Sequence, residues 1–265
     1  ITHCRYGLHS MYGLNINFIA NTVKDNLLGL ALMYSKVLVA KHNLILEHRR
    51  GTSPYGFLLK DIDNVTIEDN LIEANQIGIF ADGISMQLGS SSDIQHNTIV
   101  GNICGISVQS SAKFSFDGNN MLENLTDVTK QGEHINANVK WTAGKQGNYW
   151  SSYRGYDKNR DGIGDLPYRV EQIAELDIDP HSPSQALLYT PGYLVLESAT
   201  RLFPIFKGEP ILIDSAPMIS PKLITQAVEN SGNRSIIFSG LSALVVLGGS
   251  FSIICYKPFD KEAIS

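Results

Sequence analysis

The sequence predicts an all-β fold, a right-handed parallel β-helix, and three observations favour it. A short phrase recurs: Asn, any residue, aliphatic, any two residues, Asn, any two residues, Gly, aliphatic. Each copy contains short apolar and polar alternations, the pattern of strands with one buried face. Asn is abundant in the copies, although it competes with helical backbone hydrogen bonds. Clear copies begin at Asn21, Asn70 and Asn97 and weaker ones at Asn43 and Asn119, so that successive copies start about 22 to 27 residues apart.

The spacing of the copies distinguishes between types of solenoid. One set of strands cannot bury its apolar face alone, whereas successive coils bury it by stacking. A period near 22 residues suits a parallel β-helix with coils roughly 4.8 Å apart, in which equivalent Asn side chains form hydrogen-bonded ladders. A leucine-rich repeat, the main alternative, needs more Leu and a helical arm in each copy, and neither is evident.

Composition restricts the function classes. The chain has 265 residues and a formal net charge of −5, which argues against nucleic acid as the main partner. The hydrophobic fraction of 43% excludes overall disorder. The three cysteines, Cys4, Cys104 and Cys255, form neither a zinc-site spacing nor a disulfide framework. Cys4 and Cys104 lie about four coils apart, roughly 19 Å, so we expect three free thiols.

The residues after each repeat Gly assign the two faces of the strands, because side chains alternate along a strand. Asp82 and Gln109 occupy positions that are expected to face outward. The positions expected to face the core are Leu30, Leu32, Ile79, Ile106 and Val108.

The same rule places two methionines on the outer face of the coil. Gly7 and Gly29 are 22 residues apart, which is one coil. Met11 is therefore expected to lie beside Met33, with His9 two residues away on the same side. Soft sulfur ligands select Cu(I), and imidazole joins them readily. The sequence therefore predicts a copper site at this place.

The first half of the chain contains further histidines besides His9. His3 is a candidate fourth copper ligand if the opening segment curls back. The alternative to a copper site is that Met11 and Met33 are merely shielded by preceding coils or by a loop. The histidines at or before the Asn positions are interpreted as ordinary turn residues: His42, His48 and His96.

A second candidate metal site follows the repeats, in the segment GNYWSSYRGYDKNRDGIGDLPYRV. Alternating oxygen ligands, a Gly for a sharp turn and a later carboxylate resemble the first nine positions of a calcium loop. The bidentate Glu expected at position twelve is absent, and Tyr168 stands there. The alternative is an acidic turn that caps the open end of the solenoid. The candidate calcium ligands are Asp157, Asn159, Asp161 and Asp165.

The chain is expected to contain four segments. They are a β-helix at 1–146, a capping segment at 147–183, a Pro-rich, partly helical extension at 184–234 and a transmembrane helix at 235–256. The last segment has roughly 22 residues without a charge, about the span of a bilayer core, and its Gly and Ser content suits helix contacts in lipid. A buried core helix is the alternative.

Charges around the apolar run indicate its orientation. Lys257 and Lys261 follow the run and favour a cytoplasmic C-terminus, which places the rest of the chain in a bacterial periplasm. The opening residues lack a signal peptide and read as the middle of a repeat, so we expect a fragment or a mature form.

Three phrases resemble the NosD family: GLHSMYG, GLALMYS and GNYWSSYRGYDKNRDGIGDLPYR, within a resemblance that covers most of 1–221. The resemblance implies a periplasmic β-helix accessory protein that works with the ATPase and permease subunits of an ABC transporter. It implies delivery of copper, or of sulfur, for the copper clusters of nitrous oxide reductase, with a copper chaperone and the reductase as partners. The copper ligands proposed above come from the repeat register and not from the family, and an apolar C-terminal helix is not typical of it.

A carbohydrate-active β-helix, such as a lyase, epimerase or hydrolase, is the alternative function. That chemistry needs paired carboxylates, or a carboxylate with a basic partner, in one outer groove. Asp61 and Asp63 are expected to share a face, but no matching acid or base lies one coil away in the same phase. The carboxylates considered for this role are Asp61, Asp63, Glu68 and Asp69.

Overall fold

Three stacked parallel sheets make up the described part of the chain. In the computed structural model the described residues are 1–51, 54–83, 92–109, 113–131, 139–171, 192 and 210–222, all within the unit Ile1–Ala227.

The first sheet contains β1 (Tyr6–Met11), β4 (Leu28–Met33), β7 (Tyr55–Lys60), β10 (Ile77–Asp82), β13 (Cys104–Gln109) and β16 (Thr126–Gln131). The second contains β2 (Leu14–Ile19), β5 (Lys36–Lys41), β8 (Asp63–Glu68), β11 (Ser92–Gln95) and β14 (Ser115–Asp117). The third contains β3 (Thr22–Lys24), β6 (Leu44–Leu46), β9 (Leu71–Glu73), β12 (Thr98–Val100), β15 (Asn120–Leu122) and β17 (Tyr149–Trp150). A separate antiparallel pair joins β18 (Tyr168–Glu171) to β19 (Pro210–Asp214).

The order of the strands shows how the chain coils. From β1 to β13 each strand pairs in parallel with the strand three places later, so that three strands complete one turn, and β17 then pairs with β15. This all-β arrangement of stacked parallel strands confirms the coarse fold prediction and agrees with a β-helix. The right-handed sense of the coil and the segment boundaries stay predictions.

The core lies between the three sheets. Leu30, Leu32 and Ile79 are fully buried there, and Ile106 and Val108 are almost so. The face assignment from the sequence is therefore confirmed for these residues. The repeat position before these core residues requires Gly because the neighbouring coil comes close. A Cβ built on Gly78 would lie only 2.6 Å from the carbonyl oxygen of Gly105.

The corners between sheets use left-handed backbone. A left-handed residue directly precedes members of both ladders. His42 (φ 55°) precedes Asn43, and Asp25 (φ 49°) precedes Asn26. The left-handed residue reverses the chain, and the next side chain is then available for bonding along the coil axis.

Two ladders of hydrogen-bonded side chains run along the coil. In the first ladder each Asn donates its backbone N–H and its Nδ2 to Oδ1 of the next member. Its members are Asn21, Asn43, Asn70, Asn97, Asn119 and Asn148. The second ladder consists of Asn26, His48, Asn75, Asn102 and Asn124. The predicted Asn ladder is thus present, in two copies.

A second apolar cluster covers the outer face of the first sheet. Ala31 and Phe80 occupy outward positions by alternation, yet Ala31 is fully buried and Phe80 is 6% exposed. Phe80 stacks on Tyr55 with ring centroids 4.7 Å apart. The cluster comprises Leu28, Ala31, Tyr55, Ile77, Phe80 and Cys104, with Tyr6, Met33 and Leu58 packed against it.

The last coil is closed by a cap centred on Asp214. Its carboxylate accepts hydrogen bonds from the Asn148 backbone N–H (2.7 Å) and from Trp150 Nε1 (2.9 Å). Thr142 Oγ1 donates to it as well, at 2.7 Å. Trp150 also stacks on Tyr168. The segment 210–222 is therefore fastened to the end of the coil.

Two of the predicted free thiols lie in the described residues. Cys4 is exposed and Cys104 is buried, and both are free. Burial raises the pKa of the Cys104 thiol to about 11. Cys255 and the predicted transmembrane helix at 235–256 lie outside the described residues. Among the residues that are described, no helix is long and apolar enough to span a bilayer.

Candidate metal-binding face

The two methionines singled out in the sequence are neighbours on the first sheet. Met11 of β1 pairs with Met33 of β4 as direct partners in the parallel ladder, so their backbones lie about 4.8 Å apart. Met11 is 47% exposed, and Met33 is half-buried against the outer apolar cluster. Strand alternation directs both thioethers to the outer face.

His9 lies on the same face as the methionines. It precedes Met11 by two residues in β1, pairs in register with Ala31 and is exposed. Its ring stacks on Tyr6 with centroids 4.9 Å apart. His9, Met11 and Met33 are hereafter called the Met face.

The structure does not bring His3 to the Met face. His3 precedes β1, where it pairs with Asp25 (Nε2 to Oδ2, 3.3 Å). Met11 is the last residue of β1, about 17 Å along a strand from its start. The opening segment therefore does not curl back as the prediction required.

Two features beside the Met face were missed in the sequence. Tyr12 and Tyr34 follow the methionines directly and stack with centroids 5.1 Å apart, Tyr12 being 73% exposed. Lys60 pairs in register with Met33. Its ammonium donates to Asp82 Oδ2 at 2.6 Å, and this bond raises the pKa of Lys60. The repeat register that pairs the methionines also brings Tyr12 beside Tyr34 and Lys60 beside Met33, so these neighbours were predictable from the sequence.

The charge beside the Met face is balanced. The Lys60 ammonium would repel a metal cation one rung away, but the Asp82 carboxylate is paired with it. The Met face itself carries no formal charge while His9 is neutral. Two thioethers and an imidazole form a soft, neutral donor set, which suits a monovalent soft ion better than a hard divalent one.

The acidic loop after the coil holds its carboxylates in internal hydrogen bonds. Asp157 accepts from the backbone N–H groups of Arg160, at 2.6 Å, and Gly162, at 2.8 Å. Asp165 accepts from the backbone N–H of Lys158 at 2.7 Å. Asn159 Nδ2 donates to Asp161 Oδ2. Calcium binding by this loop stays a prediction.

The carboxylates considered for carbohydrate chemistry lie at the two ends of β8. Asp63 is buried, with its carboxylate 4.0 Å from Lys36 Nζ. Glu68, at the other end of β8, pairs with Lys41, and that ion pair lowers the pKa of Glu68. Across the described ranges, no group of three or more His, Cys, Asp and Glu side chains is arranged to hold a metal ion.

Comparison with known families identifies the chain. The model of the NosD family, described as periplasmic copper-binding protein, matches residues 1–155. The chain belongs to the NosD family. The resemblance inferred from the repeat phrases is thereby confirmed, and the matched residues include the Met face and most of the coil.

Two curated NosD proteins resemble the chain, each named a probable ABC transporter binding protein. The protein from Stutzerimonas stutzeri is 28% identical over 214 residues, which cover 75% of this chain and 47% of that protein. The protein from Pseudomonas aeruginosa is 27% identical over 172 residues, which cover 62% of this chain and 40% of that protein. The chain therefore spans about half the length, or less, of these NosD relatives.

Proposed function

We propose that this NosD-family chain acts as a non-enzymatic periplasmic accessory protein that binds Cu(I) at the Met face and passes it on. The observation that carries the proposal is the in-register pairing of Met11 with Met33, with His9 on the same side. Membership of a family described as periplasmic and copper-binding supports it. Copper is the cargo of the protein in this proposal.

The exposure of the Met face suits transfer rather than storage. Met11 is half-exposed and His9 is exposed, so a partner protein has access to a bound ion. Three ligands leave a coordination position for a fourth ligand supplied by the partner. Ligand exchange then moves the ion without releasing it to water.

The partners follow from the same proposal. The names of the two relatives support work with an ABC transporter, and we extend this to its ATPase and permease subunits. A copper chaperone as donor and nitrous oxide reductase as acceptor complete the scheme, with sulfur as the alternative cargo. Anchoring in the inner membrane by 235–256 belongs to the proposal as well.

Competition with a chromophoric Cu(I) chelator tests the Met face. Replacing Met11 and Met33 together by Leu removes both sulfurs while nearly preserving side-chain volume. We expect Cu(I) affinity to fall at least about tenfold, since each lost thioether is a lost soft ligand. Met121→Leu, at a fully buried core methionine, is the matched control and should bind as the unchanged protein does. Equal affinity of the double variant and the control would overturn the proposal.

A further inference from the structure

An open cleft of about 550 Å³ lies beside the end of the coil. Its walls come from two successive corner turns, 101–103 and 123–125, and from the cap residues that follow β17. Ile103 and Leu125 give it apolar surface, Leu125 being 49% exposed. Glu123 and Arg154 contribute opposite charges.

The second ladder ends in this cleft. Asn102 donates its backbone N–H and its Nδ2 to Asn124 Oδ1, both at 3.0 Å. Asn124 is the last member, and its Nδ2 donates to the Ile99 carbonyl at 3.0 Å. Within the described residues, the backbone N–H of Asn124 donates no hydrogen bond. In every earlier Asn–Asn step of the ladder, the corresponding N–H donates to the next Oδ1.

The first ladder shows which chemistry satisfies such an end. Its last member, Asn148, donates its backbone N–H to Asp214 Oδ2 at 2.7 Å, and its Nδ2 approaches the same oxygen at 3.4 Å. A carboxylate can close a ladder because it only accepts hydrogen bonds and needs no further member. The chain supplies that carboxylate to the first ladder.

Arg154 makes the cleft suitable for the same group. Its Nη1 is held by the carbonyls of Ser151, at 2.7 Å, and Tyr153, at 2.9 Å. A guanidinium carries five N–H donors, so donors remain for a ligand in the cleft. Charge-assisted bonds from Arg to a carboxylate are among the strongest in proteins.

We propose that the cleft binds a carboxylate, with one oxygen accepting from the Asn124 backbone N–H and the charge balanced by Arg154. The apolar part of the ligand lies against Ile103 and Leu125. Glu123 opposes the ligand, since two carboxylates repel each other in one cleft. This inference is independent of the copper proposal, because it uses other coils and other residues.

The binding is tested by adding a carboxylate to the full chain at constant ionic strength while the NMR signal of the Asn124 amide is recorded. One arm uses propionate, and the other uses a blocked tripeptide with a central Glu, compared with its Gln analogue. We expect both carboxylates to shift the Asn124 signal. Tighter binding of the Glu peptide identifies a protein segment as the source, and equal binding identifies small carboxylates; either result supports the proposal.

Two variants with opposite expected effects on carboxylate binding test the roles of Arg154 and Glu123. Arg154→Gln should weaken carboxylate binding about fivefold or more, whereas Glu123→Gln should strengthen it. Both side chains are exposed, so the fold should tolerate each change. Arg169→Gln, an exposed arginine outside the cleft, should change nothing. No shift of the Asn124 signal, or the same shift with chloride and with the Gln peptide, overturns the proposal.

Discussion

The two ladders run side by side through the same coil, yet they differ in composition and in how they end. The first contains only Asn and is closed by the buried carboxylate of Asp214. The second contains His48 and ends at Asn124, beside an open cleft. The Asn–Asn steps of both ladders make the same two hydrogen bonds, so the ladders differ at the His48 step and in what terminates them. A solenoid can bury a polar column only if its last donor finds an acceptor.

Removing the closing carboxylate should have the largest effect. Asp214→Ala leaves the backbone N–H of Asn148, Trp150 Nε1 and Thr142 Oγ1 without their acceptor. Buried donors without partners cost about 1–3 kcal/mol each. We therefore expect a loss of about 3–5 kcal/mol in the free energy of unfolding, measured by urea denaturation.

The neighbouring residue provides a control for this prediction. Ser215→Ala alters an exposed side chain in the same segment and should change stability by less than about 0.5 kcal/mol. If Asp214→Ala destabilises no more than Ser215→Ala, the carboxylate does not close the ladder.

Truncating the last member of each ladder compares the two ends directly. Asn148 is buried and its Nδ2 donates to the carbonyls of Phe116 and Trp141. Asn124 is half-buried, and solvent from the cleft can replace its bonds. We expect Asn148→Ala to cost about 3 kcal/mol and Asn124→Ala about 1–2 kcal/mol. Equal losses in urea denaturation would show that both ends are closed equally well.

His48 makes the second ladder sensitive to pH. Its Nδ1 lies 2.8 Å from Asn75 Oδ1 and its Nε2 lies 3.4 Å from Asn26 Nδ2. Because Oδ1 only accepts and Nδ2 only donates, His48 is neutral with its proton on Nδ1. Burial lowers the pKa of His48, against smaller opposing effects of Asn75 and of nearby carboxylates. Protonation would place two donors against each other at Nε2.

The sign of the pH effect follows from linkage. With a lowered folded pKa, the unfolded chain binds the proton first, so stability is complete above pH 6.5 and falls as the pH drops from 6.5 towards the folded value. One group changes stability by at most about 1.4 kcal/mol per pH unit. His48→Asn restores an Asn at this position, and its stability curve should lack this component between pH 8 and the folded pKa. Parallel curves for the two proteins would contradict the assignment.

The sequence allowed the repeat-based features to be predicted, because a coil converts spacing into contact. Met11 and Met33 are one period apart and are direct partners. The Asn positions predicted a ladder, and the ladder is present. His48 was interpreted as a turn residue, but the register places it inside the second ladder, since it replaces Asn at the repeat position.

Features without a period could not be predicted. Asp214 lies 66 residues beyond Asn148, and no pattern joins an isolated carboxylate to a distant amide. The outer apolar cluster was missed for another reason. Alternation assigns a side chain to a face, but it does not tell whether that face is covered, and Phe80 faces outward yet is buried.

Extending the second ladder at its other end should have the smallest effect. Cys4 occupies the position that precedes Asn26, and its backbone N–H donates to Asn26 Oδ1 at 2.8 Å. His48 makes the same backbone bond to Asn75 Oδ1 at 3.0 Å, so Cys4 has the backbone geometry of a ladder member. Cys4→Asn should add a bond from Nδ2 to Asn26 Oδ1. In a later step of the ladder Asn102 Oδ1 accepts two such donors, the backbone N–H and the Nδ2 of Asn75.

Because Cys4 is exposed, the gain from this added bond should be only about 0.5–1 kcal/mol. Cys4→Ser removes the thiol without supplying the amide, and it should leave the urea midpoint unchanged. A midpoint for Cys4→Asn that does not exceed that of Cys4→Ser would show that a ladder member needs burial, and not only the right backbone position, to stabilise the coil. The same pair of variants also separates the amide from the loss of the thiol, since both lack sulfur and only one carries Nδ2.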